Sequence, residues 1–125
     1  MAADNNWSGR VTITPPLTWA ECKLSPAIED VKLVFDEKEG PDGRIITAVA
    51  VVPARSSNSW SAHTGQELQF LINSHPKHEF AGCLQVNWDD VYGSDVLAER
   101  WTVDGRVVVH ETARLVWTKD EGGDQ

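Results

Sequence analysis

The eight-residue run Ile45-Ile46-Thr47-Ala48-Val49-Ala50-Val51-Val52 is apolar and rich in β-branched residues on both of its alternating faces. Such a strand belongs in the interior of a sheet, with a neighbour on each side and something covering its faces. A second β-branched run, Val31 to Glu37, precedes it. Between them stands Lys38-Glu39-Gly40-Pro41-Asp42-Gly43, which supplies turn residues and glycines able to take positive φ. The two runs are therefore read as a hairpin, and a sheet built around its second arm is the core of the fold.

The other elements follow from local pattern. Arg10-Val11-Thr12-Ile13-Thr14 alternates like a strand, and Pro15-Pro16 is expected to end it because proline cannot donate to a ladder. Thr18 and Glu21 have capping-box spacing, which predicts a short helix from about Trp19 to Leu24. Thr64 and Glu67 repeat that spacing ahead of Leu68, Leu71 and Ile72, so a principal helix should run to Ser74, stopped by Pro76. Glu79 to Trp88 reads as a strand, and a last hairpin runs from Asp95 to Val103 and from Arg106 to Trp117.

The register of that last hairpin decides which residues face the core. A two-residue turn at Asp104-Gly105 separates Trp101 and Val107 onto opposite faces. A three-residue loop, Val103-Asp104-Gly105 with a glycine bulge, pairs Thr102 with Arg106 and gathers Leu97, Trp101, Val103, Val107, Val109, Ala113, Leu115 and Trp117 on one face. The bulged register concentrates the apolar residues better and is preferred. It leaves Arg100, Arg106, His110 and Arg114 on the other face.

The expected fold class is α+β: an antiparallel sheet of about five to six strands with one main helix packed on it and a short N-terminal helix. Residues 9–118 are read as a single domain, with flexible ends at 1–8 and in the acidic tail 119–125. Hydrophobic residues are 41% and charged residues 24% of the 125, which is the balance of a chain that buries one core and is not disordered. The net charge of −8 repels phosphate backbones and anionic lipid, so nucleic-acid binding through a general basic face is disfavoured. No apolar stretch is long enough for a membrane helix and no secretory leader is visible. Free Cys22 and Cys83 in a cytoplasmic location are the expectation.

Gly9-Arg10-Val11-Thr12-Ile13-Thr14-Pro15-Pro16-Leu17-Thr18-Trp19-Ala20-Glu21 resembles the opening of a family of small uncharacterised actinobacterial and actinobacteriophage proteins, a domain of unknown function with an Ile-x-Pro-Pro-Leu-x-Trp opening. His75-Pro76 before Phe80-x-Gly82, Trp101-x-Val103-x-Gly105-Arg106-Val107 and Val116-Trp117 are also similar to it. These are apolar and turn residues, so the resemblance implies a shared fold and a phage or phage-derived origin. It brings no catalytic residue, cofactor or substrate. The polar loop Arg55 to Ser61 and the segment Cys83 to Asp95 depart from the pattern.

Several side chains invite a chemical role, and each has a plainer one. His75, His78 and Cys83 are types that zinc favours, yet four ligands are not assembled, and a histidine at a helix C-terminus is favourable in itself. No metal and no cofactor are expected. Cys22 or Cys83 as a nucleophile would need His63 or His110 as base, and small buried thiols are commoner. Pro15 to Trp19 has the look of a recognition segment, but two prolines also stiffen a corner over a packed Trp19. Glu99 and Glu111, neighbours in the bulged register, would suit acid/base chemistry, or would mark a sheet margin.

Six tryptophans, the arginine stripe and the long loop carrying Trp60 favour a non-enzymatic protein-binding domain, in the phage setting a modulator of a host protein, with Trp60, Arg100, Arg106, His110 and Arg114 as its partner-binding residues. A small enzyme or ligand-binding domain using Glu99, Glu111 and His110 is the alternative, and requires a real concavity beside them. A protein that self-associates through its sheet edge, as a homodimer, is the third reading.

Overall fold

The computed structural model describes residues 6–54, 63–88 and 95–120. Residues 55–62, Trp60 among them, lie outside the described residues, as do 1–5, 89–94 and 121–125. Among the described residues there are six strands: β1 (Asn6–Thr18), β2 (Val31–Gly40), β3 (Gly43–Pro53), β4 (Glu79–Asn87), β5 (Val96–Asp104) and β6 (Val107–Arg114). They form one antiparallel sheet in the order β2-β3-β1-β4-β5-β6. The helices α1 (Trp19–Lys23) and α2 (Thr64–Ser74) hold five and eleven residues.

The fold is therefore mostly β, which overturns the α+β expectation while keeping its antiparallel sheet. One physical reason lies in β1. Its register against β3 jumps from Thr12↔Ala50 to Leu17↔Ala48, and the bulge holds Pro15 and Pro16 where no ladder donor is needed. The prolines interrupt pairing without ending the strand. The strand also begins at Asn6, so Asn6, Trp7 and Ser8 pair with β4 ahead of the boundary drawn at residue 9.

The run 45–52 is interior as expected, with β3 between β2 and β1 and with Ala48, Ala50 and Val51 buried. Helix α2 lies over one sheet face. Its Leu68, Leu71 and Ile72 are fully buried in one cluster with Val11, Leu17, Val31, Leu84, Val86 and Trp101. Each such aliphatic side chain contributes about 1.5–3 kcal/mol by leaving water.

The capping box at α1 forms: Glu21 N–H donates to Thr18 Oγ1 and Thr18 N–H to Glu21 Oε1, at 3.1 and 2.9 Å. The matching pattern at α2 does not. His63 is the N-cap residue there, Thr64 is buried inside the helix, and Glu67 Oε1 instead accepts the backbone N–H groups of Glu29, Asp30 and Val31. Three amides converging on one carboxylate oxygen tie the segment entering β2 to α2, a stronger use of the charge than a local cap.

Candidate functional site

The closing hairpin turns at Gly105-Arg106, with Asp104 opposite Val107, Thr102 opposite Val109 and Trp101 opposite His110. Gly105, at φ 66°, takes the first central position of a two-residue loop, where positive φ suits the twist of the strands. The bulged register is thus corrected: Trp101 and Val107 point to opposite faces, and the loop sits further along the chain than either sequence reading placed it. Trp101 faces α2 with Glu99, Val103, Val108 and His110, whereas Val107, Val109, Glu111 and Ala113 share the outer face.

This register builds an aromatic row on the α2 side. Trp7 and Trp101 stack at 5.9 Å and within 7° of parallel, Trp101 and His110 at 5.1 Å and within 4°, and Trp88 meets Trp7 edge-on at 6.2 Å. Glu99 sits among these rings. Its Oε2 accepts from Trp88 Nε1 at 3.0 Å, and its Oε1 lies 2.9 Å from His110 Nε2.

Beside the row runs an open groove of about 390 Å³ between the start of α2 and strands β5 and β6, lined by Gly65, Gln66, Gln69, Glu99, Trp101, Val108 and His110. Gly65 is what lets the helix approach: a Cβ there would stand 2.9 Å from Trp101 Cδ1. Gln69 is held rigidly, donating to Arg106 O and accepting from Val108 N–H, both at 2.8 Å. Gln66 Oε1 lies 3.2 Å from His63 Nδ1. The groove thus offers a carboxylate, an imidazole and amides against an indole. A carboxylate bonded to one imidazole nitrogen is the orienting half of an acid/base site. Among the described residues the lining contains no serine, threonine or cysteine to serve as nucleophile.

The sequence-nominated residues are dispersed. Arg100 donates through Nε and Nη2 to Glu111 Oε1 at 3.0 and 2.9 Å on the outer face, so Glu99 and Glu111 are on opposite sides and do not share a proton site. Arg114 pairs with Asp95 at 3.0 Å. Arg106 turns inward, its guanidinium donating to the carbonyls of Ile72, His75 and His78, and so neutralises the C-terminal end of α2. Of the nominated residues, Glu99 and His110 line the groove. Glu111 lines an outer depression of about 290 Å³ with Gln85, Ala98, Glu99, Arg100, Thr112 and Ala113. Trp60 is outside the described residues.

The histidines after α2 join a structural clamp. His78 Nδ1 lies 2.6 Å from Pro15 O and its Nε2 2.7 Å from Glu21 Oε2. Both partners accept, so His78 is held as the imidazolium. Burial opposes that charge, but the hydrogen bonds to Pro15 and Glu21 and the Glu21 charge outweigh it and raise the His78 pKa. Glu21 is drawn down to about 2, first by the Thr18 backbone N–H and then by His78. His75 is shifted down, chiefly by burial, and its Nε2 lies 2.8 Å from Ser25 Oγ. Burial likewise pushes the Cys22 thiol up, which disfavours the thiolate a nucleophile needs. Trp19 is not packed beneath the proline corner: it lies half-exposed against Phe35, with Lys23 over its ring, and Leu17 fills the core instead.

Trp7, Trp88, Gly65, Gln66 and Gln69 were not legible as site residues. Nothing local marks them, because each reaches the groove region only through strand order and the placement of α2. No curated protein and no solved structure matches the chain. A family described as "Family of unknown function (DUF6205)" matches residues 1–125, and the chain belongs to that family.

Proposed function

We propose that this protein is a non-enzymatic binding domain whose site is the groove between α2 and the β5–β6 hairpin. Its ligand is a small polar molecule that sets an apolar face against Trp101 and Val108 and directs a hydrogen-bond donor to Glu99. The observation that carries the reading is the placement of the Glu99 carboxylate, only 23% exposed and bonded to Trp88 and His110, at the wall of a 390 Å³ concavity. Small-molecule sites combine an apolar lining with a few fixed polar groups in this way, at volumes of about 300–1,000 Å³.

The competing reading, a phage-encoded modulator docking on a host protein through an arginine stripe, has less support, since Arg100, Arg106 and Arg114 are all engaged within the chain. A fragment set read by ligand-observed NMR separates the two. The groove reading expects fragments whose affinity falls about tenfold or more in Glu99→Gln and His110→Ala, one charged hydrogen bond's worth, and is unchanged in Arg100→Ala. Affinities indifferent to Glu99 and His110 but sensitive to Arg100 would reject it.

A further inference from the structure

The outer edge of β6 is where the sheet is unfinished. In a two-residue hairpin the residues directly flanking the loop form the bonded pair, so Val107, Val109, Glu111 and Ala113 turn their backbone groups to β5, and Val108, His110, Thr112 and Arg114 turn theirs outward. Gln69 occupies the first of these positions, at Val108 N–H and Arg106 O. Among the described residues nothing is hydrogen-bonded to the outward backbone groups of His110, Thr112 and Arg114. Strand edges are ordinarily blunted by lysine, proline or an inward charge. Here the same strand instead shows Val107 and Val109 on its outer face at 60% and 39% exposure, followed by Leu115, Val116 and Trp117 at 41%, 73% and 89%.

We infer that a second copy of this chain pairs antiparallel with β6 about a two-fold axis at Thr112, continuing the sheet across both copies. The free run is self-complementary in that register: Thr112 meets Thr112 of the second copy, and His110 meets its Arg114, giving about six ladder hydrogen bonds. Side chains also match, since Val109 falls opposite Leu115 of the second copy and Glu111 opposite its Ala113. Centring on Glu111 would set carboxylate against carboxylate, and centring on His110 would need the Val108 N–H that Gln69 holds. The Glu111 repulsion and the fixed Gln69 together disfavour the registers centred nearer the hairpin turn. With a net charge of −8 on each copy, pairing should tighten as salt screens the repulsion.

Sedimentation velocity on the full chain from micromolar to millimolar concentration tests this. The expected result is a monomer–dimer equilibrium strengthened by salt, with amides of His110, Thr112 and Arg114 gaining hydrogen-exchange protection as concentration rises. Thr112→Pro removes an outward N–H while sparing the β5 ladder, and Val109→Lys places a charge on the apolar edge. Each should weaken the dimer about tenfold or more. A wild-type chain that stays monomeric throughout overturns the inference, as does a dimer that both variants leave unchanged or that leaves those three amides unprotected.

Discussion

Trp101 and His110 stand directly opposite one another on β5 and β6, their rings 5.1 Å apart and within 4° of parallel. That pairing puts an imidazole on the helix side of an edge strand and brings it within 2.9 Å of Glu99. The groove exists because α2 begins over the same indole, and its closeness depends on Gly65.

Gly65→Ala should be destabilising even though alanine favours a helix by up to about 1 kcal/mol. Its methyl group would meet Trp101 at 2.9 Å, and overpacking of this kind costs about 1–3 kcal/mol. Urea denaturation reads the loss, and the Trp101 indole resonance should shift with it.

Arg106 serves the carbonyls of Ile72 and His75 at the end of α2 and of His78 beyond it, so Arg106→Ala leaves acceptors of a helix terminus without their cation. A loss of about 1.5–3 kcal/mol in unfolding free energy is expected. Arg106→Lys should recover only part of it, because an ammonium cannot reproduce the planar fork.

Thr64 is fully buried and, among the described residues, its Oγ1 has no hydrogen-bond partner. Thr64→Val keeps the shape and removes the orphaned hydroxyl. Stabilisation of about 1 kcal/mol is expected, visible as a raised denaturation midpoint.

The Glu21–His78 pair gives a pH signature. Glu21 is depressed from 4.5 to about 2, so its contribution is present above 4.5 and is lost as pH falls from there towards 2. His78 is raised above 6.5, so its contribution is present below 6.5 and is lost as pH climbs through the raised value. The stability advantage of wild type over Glu21→Gln should therefore be greatest between about pH 4.5 and 6.5 and shrink on both sides. His75, whose pKa burial lowers and the Glu21 charge raises, adds to the same difference on its alkaline side. Chemical denaturation across pH 2–9, roughly the range spanning both transitions, checks it.

What was legible in the sequence was local. The β2–β3 hairpin, the interior placement of β3, the cap of α1 and the extent of α2 all follow from patterns within a few residues. Two misreadings share a cause, which is a long-range partner overriding a local rule. Pro15-Pro16 would stop an isolated strand, but a bulge against β3 absorbs them. Thr64 and Glu67 match a capping box, but Glu67 is claimed by three amides before β2. The last hairpin fails differently: its odd-numbered residues Val107, Val109 and Ala113 are the more apolar set, and the usual rule sends that set to the core. The structure leaves it on the outer face, and only the pairing of Trp101 with His110 reveals the groove.

The pairing itself is therefore the point to measure. In the register described, Trp101 and His110 form a non-hydrogen-bonded pair with Cα atoms about 4.5 Å apart, which brings their Hα protons close together. A strong Trp101 Hα–His110 Hα NOE in isotope-labelled protein is the predicted result. A Trp101–Val107 cross-strand NOE in its place would return the hairpin to the bulged register, move His110 off the helix side and remove the groove on which the proposed function rests.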